Sequence, residues 1–270
     1  MTTEVLRHVI DSISPRSPAH AEAARVRVAH AGLPMLDGIA ARLGGAQHTA
    51  VPRCRRRTIV IVASDGRGPR VGLGEAHPTA ITAHAISDGT AAVARLARPS
   101  ATPIVLIDAG VHEPAVMPTA TIQLADPNLE AGVAVVISLA DHGLDVLALG
   151  AMGLATNAPG DDPRAGGTAV LAGMILGAAS VQIPVVLDGL TTVEAALLAT
   201  NLAPTVADYL LASHPGRAPQ PQLLGRLGLE PIFGVALGHG DGSGAAMTLP
   251  LLDQLDALLG APSPDGALDR

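Results

Sequence analysis

The run Thr58-Ile-Val-Ile-Val-Ala63, followed at once by Ser64-Asp65-Gly66, decides the fold. Its apolar residues come without polar alternation, as in a strand buried on both faces, which is the habit of parallel sheets. The Ser-Asp-Gly behind it punctuates the strand with turn chemistry. Outward from this unit the same rhythm repeats. Apolar runs at 103–108, 145–149, 184–187, 208–212 and 232–237 read as further strands. Ala/Leu-rich stretches at 19–31, 35–43, 79–97, 128–142, 168–180, 191–201, 219–227 and 243–259 read as helices. Gly32 and Pro34 separate the first two helices, because a continuous helix would break there. Alternating strands and helices predict an α/β protein with a mostly parallel sheet.

Residues 1–50 carry no clear strand and are expected to pack as helices beside the sheet; 51–260 form the α/β body and 261–270 a loose tail. Neither an internal repeat nor a domain linker is evident. Composition narrows the function classes. Hydrophobic residues make up 48% and charged residues 15%, a globular balance. One Tyr, one Phe and no Trp leave no platforms for base stacking, and a net charge of -7 offers no basic face to a phosphate backbone, so nucleic acid is not an expected partner. No stretch reads as a membrane span or a signal peptide, which leaves the cytoplasm as the expected location. The single Cys54 cannot form an intrachain disulfide. Arg53, Arg55, Arg56 and Arg57 form the only basic run, read as a solvated strand entrance.

In an open α/β sheet, ligands bind outside the carboxyl ends of the strands. Those ends carry Ser64-Asp65-Gly66, Asp108-Ala109-Gly110, Gly150-Ala151-Met152-Gly153, Asp188-Gly189, Ser213-His214 and Gly238-His-Gly-Asp-Gly-Ser-Gly244. In the last loop, Gly240, Gly242 and Gly244 allow close backbone approach, and Ser243 opens a helix whose N-terminus is a ready anion site. Asp241 within that loop suits a general base better than a phosphate ligand. His77 and His84, seven residues apart, make no compact metal pair, and no metal or cofactor is expected. Ser213-His214 makes a poor nucleophile–base pair, since strand neighbours point to opposite faces. There is no G-x-S-x-G elbow and no Walker lysine, every cationic side chain being Arg.

The segment Ile183-Pro-Val-Val-Leu-Asp-Gly189, then Glu194-Ala-Ala-Leu-Leu-Ala199, Leu202-Ala-Pro204 and Tyr209-Leu-Leu-Ala-Ser-His214, resembles the nicotinate-nucleotide–dimethylbenzimidazole phosphoribosyltransferase family. Leu227-Gly-Leu-Glu-Pro-Ile232, Gly240-Asp-Gly-Ser-Gly-Ala-Ala246 and Leu249-Pro-Leu-Leu-Asp253 continue the resemblance in order, and Gly166-Gly167 with Ala172-Gly-Met-Ile-Leu-Gly-Ala-Ala179 precede it. The resemblance implies a Rossmann-like sheet flanked by helices, a small helical subdomain drawn from the N-terminus, and a homodimer. It also implies a reaction in cobalamin lower-ligand synthesis, with a small-molecule nucleotide and an aromatic base as partners. A carboxylate in the final loop, here Asp241, deprotonates the benzimidazole, whose nitrogen then attacks C1′ of nicotinate mononucleotide. Gly150, Met152, Gly153, Asp188, Ser213, His214, Gly240, Gly242, Ser243 and Gly244, with His77 and His84, are the expected substrate-binding residues.

The chain departs from the family pattern at several points. Asp241 stands where the family has Glu, and the family's G-E-M-G-I-G-N-T-T reads Gly150-Ala-Met-Gly-Leu-Ala-Thr-Asn-Ala158, so Ala151 replaces a carboxylate. A few dozen family residues are reduced to Pro159-Gly-Asp-Asp-Pro-Arg164, and the N-terminal T-K-P-P-G-S-L-G has become His30-Ala-Gly-Leu-Pro-Met-Leu-Asp37. Two readings stay open: a phosphoribosyltransferase with an altered site, and a non-catalytic paralogue that binds a nucleotide or benzimidazole or pairs with an active subunit.

Overall fold

The computed structural model describes residues 3–30, 33, 36–65, 78–112, 117–153, 166–237 and 240–259. Helices α1 (Glu4–Asp11), α2 (Pro18–His30) and α3 (Asp37–Ala46) precede β1 (Arg57–Ala63). Then come α4 (Pro78–Ser87), α5 (Ala92–Ala97), β2 (Ile104–Asp108), β3 (Ile122–Gln123), α6 (Leu129–Asp141) and β4 (Val146–Met152). These are followed by α7 (Gly166–Ser180), β5 (Val185–Leu187), α8 (Leu190–Leu202), β6 (Leu210–Ala212), α9 (Gln220–Arg226) and α10 (Ser243–Leu259). The sheet has six strands in the order β3-β2-β1-β4-β5-β6, all parallel. This is the doubly wound order, in which the chain reverses direction between β1 and β4.

Strand alternation sorts the core into two layers. Val60, Val62, Leu147, Leu149, Val185 and Leu187 face a layer built by α1, α6, α7, α8 and α9. Ile59, Ile61, Ala63, Val146, Ala148 and Val186 face a second layer of α2, α3, α4, α5 and α10. The N-terminal helices therefore lie on both faces, as expected of helices beside the sheet. Helix α7 is buried from Gly167 to Ala179, so it is apolar all round rather than striped. It crosses α6 with almost nothing in between: a Cβ on Gly132 would strike the Val170 carbonyl and one on Gly173 the Leu129 carbonyl. Small residues do here what interlocking aromatics do elsewhere, because they bring backbones into van der Waals contact. The one Tyr, fully buried Tyr209, donates from its hydroxyl to the Ser14 carbonyl at 2.7 Å and so ties the N-terminal segment to the start of β6.

Three expectations change. The run at 232–237 does not form a strand: Pro231 makes an isolated bridge to Ala212, the Ile232 and Phe233 amides donate to Ala212 and Ser213, and the chain then leaves the sheet. No helix among the described residues covers it there, and Val235 is 63% exposed. The sixth strand lies instead at the opposite edge as β3, whose two exposed residues carry no sequence signal. The helix expected over 79–97 is two helices, because Gly89 adopts φ +73° and terminates α4 at Ser87. The basic run is only partly solvated: the Arg57 side chain is 4% exposed and meets Asp253 at 2.7 Å. No helix among the described residues is long and apolar enough to cross a membrane.

Candidate functional site

The reversal of strand order leaves a crevice at the carboxyl ends of β1 and β4, the position at which doubly wound sheets hold ligands. Strand β1 delivers Asp65, which is 4% exposed. Its carboxylate accepts the Thr79 hydroxyl at 2.5 Å and the His112 amide at 3.0 Å, so one side chain joins β1 to the first turn of α4 and the loop after β2. Asp108 at the end of β2 turns its Oδ1 onto the amides of Gly110 and Val111, which folds that loop back on itself. Gly153 at the end of β4 has φ +103°, and a Cβ there would strike the Ser64 carbonyl. Only glycine lets the two strand ends separate so closely.

The final loop is seated on β4 and β5 largely by main-chain contact. The Ala151 amide donates to the Gly240 carbonyl at 2.8 Å, continuing the sheet by one bond. A Cβ on Gly150 would stand 2.5 Å from the Gly242 nitrogen, and one on Gly189 would strike the Gly240 Cα. Asp241 sits at the top of this contact, partly buried. Its Oδ1 accepts the Ser243 amide at 3.0 Å, and its other oxygen has no partner among the described residues. The Ser243 side chain is 8% exposed and its hydroxyl finds no described partner either. The loop thus carries a carboxylate with one oxygen fixed and, buried behind it, a hydroxyl without a described partner.

Asp188, Ser213 and His214 form a buried knot beneath that loop. The His214 Nε2–H donates to Asp188 Oδ1 at 2.7 Å, the Ser213 hydroxyl reaches the same oxygen at 3.2 Å, and the Gly244 amide donates to Asp188 Oδ2 at 3.1 Å. The Gly216 amide donates to His214 Nδ1 at 2.9 Å, which fixes the proton on Nε2. Asp188 and His214 are 1% and 2% exposed, so the knot faces no crevice. Two expectations change here. Ser213 and His214 do converge, because β6 ends at Ala212 and the alternation of side chains ends with it; they meet on Asp188 and not on one another. The N-terminus of α10 is already capped by the chain's own carboxylates, Asp241 on Ser243 and Asp188 on Gly244, which opposes an incoming anion.

The end of β4 therefore lies close to Gly240, Asp241, Gly242 and Ser243, with Gly150, Met152 and Gly153 on the strand itself and Asp65 arriving from β1; Gly242 faces inward, onto Ile59, Ile61 and Val93. Asp188, Ser213, His214 and Gly244 support the loop from below. His84 lies on the exposed side of α4, about 9 Å along the helix from Pro78. His77 lies outside the described residues. Asp65, read from the sequence as a strand-end residue but not among the expected substrate-binding ones, is the first ionisable residue after the central strand. Among the described residues, no group of three or more His, Cys, Asp or Glu side chains is arranged to hold a metal ion.

Comparison with known proteins agrees with this architecture. The crystal structure of CobT from Thermus thermophilus superposes with a TM-score of 0.74 at 24% identity, covering 93% of this chain and 98% of that one. A nicotinate-nucleotide–dimethylbenzimidazole phosphoribosyltransferase from Roseiflexus sp. (strain RS-1) is 26% identical, with 92% of each chain covered. The enzyme of that name from Syntrophotalea carbinolica reaches 42% identity over 90 residues, which is 33% of this chain. The model of the DBI_PRT family, described as phosphoribosyltransferase, matches residues 13–160 and 164–260. With nearly the whole chain spanned, and the doubly wound sheet already established on independent grounds, this protein belongs to the DBI_PRT phosphoribosyltransferase family.

Proposed function

We propose that the chain transfers the phosphoribosyl group of nicotinate mononucleotide to a benzimidazole-type base, with Asp241 as general base. One observation carries this reading: Asp241 stands at the crevice with one oxygen fixed by the Ser243 amide and the other without a described partner. The free oxygen takes the N–H proton of the base. The nitrogen lone pair forms the new bond to C1′, the bond from C1′ to the pyridinium nitrogen breaks, and its electron pair leaves with nicotinate as a neutral ring. The step needs a positioned base and an excluded pocket rather than redox chemistry. The names of the Roseiflexus and Syntrophotalea relatives supply the substrate pair.

Asp241 is one methylene, about 1.5 Å, shorter than the family's glutamate. A misplacement of about 1 Å can cost on the order of 10²-fold in rate, so the loop must bring the carboxylate closer to the base by its own path. Main-chain contact with Gly150 and Gly189 is the feature that holds that path. A second reading, a non-catalytic binding paralogue, is favoured by Ala151, which puts a half-buried methyl group where the family has a carboxylate.

The deciding experiment incubates purified protein with nicotinate mononucleotide and dimethylbenzimidazole and follows α-ribazole phosphate and nicotinate by chromatography. Product is expected from the parent and not from Asp241→Asn, whose amide oxygen still accepts the Ser243 amide and keeps the loop in place. Equal turnover by both proteins removes Asp241 from the mechanism. Ligand-induced thermal stabilisation without product selects the binding paralogue.

A further inference from the structure

A second polar cavity lies at the other end of the sheet. It has a volume of about 330 Å³ and opens between the start of β1, the turn before β2 and the end of α6. Strand β1 separates it from the crevice by seven residues, about 23 Å of extended chain. Its polar lining is cationic or hydroxylic: Arg55, Arg56, Ser100, Thr102 and His142 face it, and among the described residues no carboxylate does.

The arginines of the basic run have different duties. Arg55 reaches Asp256 at 2.7 Å and Arg57 is buried against Asp253. Arg56 engages Asp145 twice, by its backbone amide at 2.8 Å and by Nη2 at 3.1 Å, and its guanidinium occupies the space a Cβ on Gly143 (φ +85°) would fill. Its Nε and Nη1 donors have no partner among the described residues, and its side chain is 58% exposed. His142 is anchored by Nδ1 on the Ser138 carbonyl at 2.7 Å, which leaves the Nε2 edge to the cavity. On the facing wall the Ser100 hydroxyl donates to the Ala97 carbonyl at 3.1 Å and stands 2.9 Å from the Thr102 hydroxyl, which Arg57 Nε also reaches at 3.3 Å, so both hydroxyl protons are used within the chain. A planar guanidinium fork with two open donors, at a cavity that no described carboxylate lines, suits an oxyanion. In a chain of net charge -7, this wall gathers Arg55, Arg56 and Arg57, whereas the cavity beside β6 carries Arg42 alone.

We infer that this cavity is a phosphate-binding site, distinct from the crevice, for the phosphate end of a small metabolite, with Arg56 as its principal ligand. Its size falls at the lower end of small-molecule pockets, larger than a bare phosphate requires. An occupant there bridges the entrances of β1 and β2 and the end of α6.

The test is a titration of isotope-labelled full-length protein with inorganic phosphate and with glycerol 3-phosphate at constant ionic strength, read by amide and histidine-ring shifts. Saturable shifts are expected at Ala101, Thr102, Gly143 and the His142 ring, with glycerol 3-phosphate binding more tightly. Arg56→Gln is expected to weaken binding about tenfold, the equivalent of one charge-assisted bond. Exposed His142→Gln is the second variant and bears the same expectation in smaller measure should Arg56→Gln fail to fold. Shifts confined to the Asp65 and Gly153 end, shifts that follow salt rather than phosphate, or an unchanged titration in whichever variants fold each overturn the assignment. None of these readouts involves turnover, so the outcome is independent of Asp241.

Discussion

Replacing Asp188 by Asn tests whether the buried knot holds the final loop. The native carboxylate accepts three donors: His214 Nε2, the Ser213 hydroxyl and the Gly244 amide. An asparagine of the same shape has one acceptor oxygen and one NH2. If its oxygen stays with His214, the NH2 faces the Gly244 amide, donor against donor. If the amide flips, the NH2 faces His214 Nε2–H. Moving the histidine proton to Nδ1 relieves that clash only by setting it against the Gly216 amide, which now donates to that nitrogen. Every arrangement leaves one buried donor without an acceptor. The loss is one charge-assisted bond, about 1.5–3 kcal/mol. An unfolding entropy of about 2.1 cal/mol/K per residue gives roughly 0.57 kcal/mol/K for 270 residues, so the melting temperature falls by roughly 3–5 °C. Far-ultraviolet circular dichroism during thermal unfolding measures it. A variant that melts within about 1 °C of the parent while losing ligand affinity refutes the reasoning, and makes Asp188 a binding residue instead.

Other substitutions probe other links of the argument. Gly132→Ala places a Cβ against the Val170 carbonyl and 2.8 Å from the Met174 nitrogen, so α6 and α7 must part at a cost of about 1–3 kcal/mol, seen as a lower denaturation midpoint. Gly38→Ala in exposed α3 meets nothing within 4 Å and is expected to be neutral or stabilising in the same assay, which separates crowding from mere change at glycine. Burial pushes the Cys54 thiol from its ordinary 9.0 to about 12, so the native protein should resist thiol reagents that label it at once after unfolding. Because the folded value is raised, that thiol's contribution to stability is intact below pH 9 and is lost progressively towards pH 12; alkaline unfolding of Cys54→Ala should be correspondingly less steep. Tyr209→Phe removes the hydrogen bond to Ser14 and should cost about 1 kcal/mol, with faster hydrogen exchange around residues 14–16.

The central architecture was legible because parallel strands covered on both faces leave unbroken apolar runs, as at Ile59–Ala63, and because strong punctuation such as Asp188-Gly189 marks their ends. Helix α10 was legible to its bounds, from Ser243 to Leu259. The edges were not. A two-residue strand such as Ile122–Gln123 is set by its neighbour β2, and the apolar run at 232–237 looks like a strand although no layer among the described residues covers it. The candidate site divided in the same way. Glycines and carboxylates at strand ends marked the crevice, since topology alone sends those ends to one place. The partnership of Asp188 with His214 was hidden, because the two lie 26 residues apart and meet only when β5 and β6 pair. Likewise Asp65 gains its meaning from Thr79 and His112, which arrive from two other elements.

The seating of the final loop on Gly150 and Gly189 has an evolutionary consequence. Its path is set largely by backbone touching backbone, where any added methyl group is a collision, and an acceptor at position 241 is all it asks of the side chains it displays. Selection can therefore exchange the displayed groups, Glu for Asp at position 241 or a carboxylate for Ala at 151, with little effect on stability. The glycines beneath are constrained by geometry, whatever reaction the loop serves. Drift in such a lineage is expected to run through the chemistry first and the scaffold last, so that new substrate preferences arise on an unchanged frame.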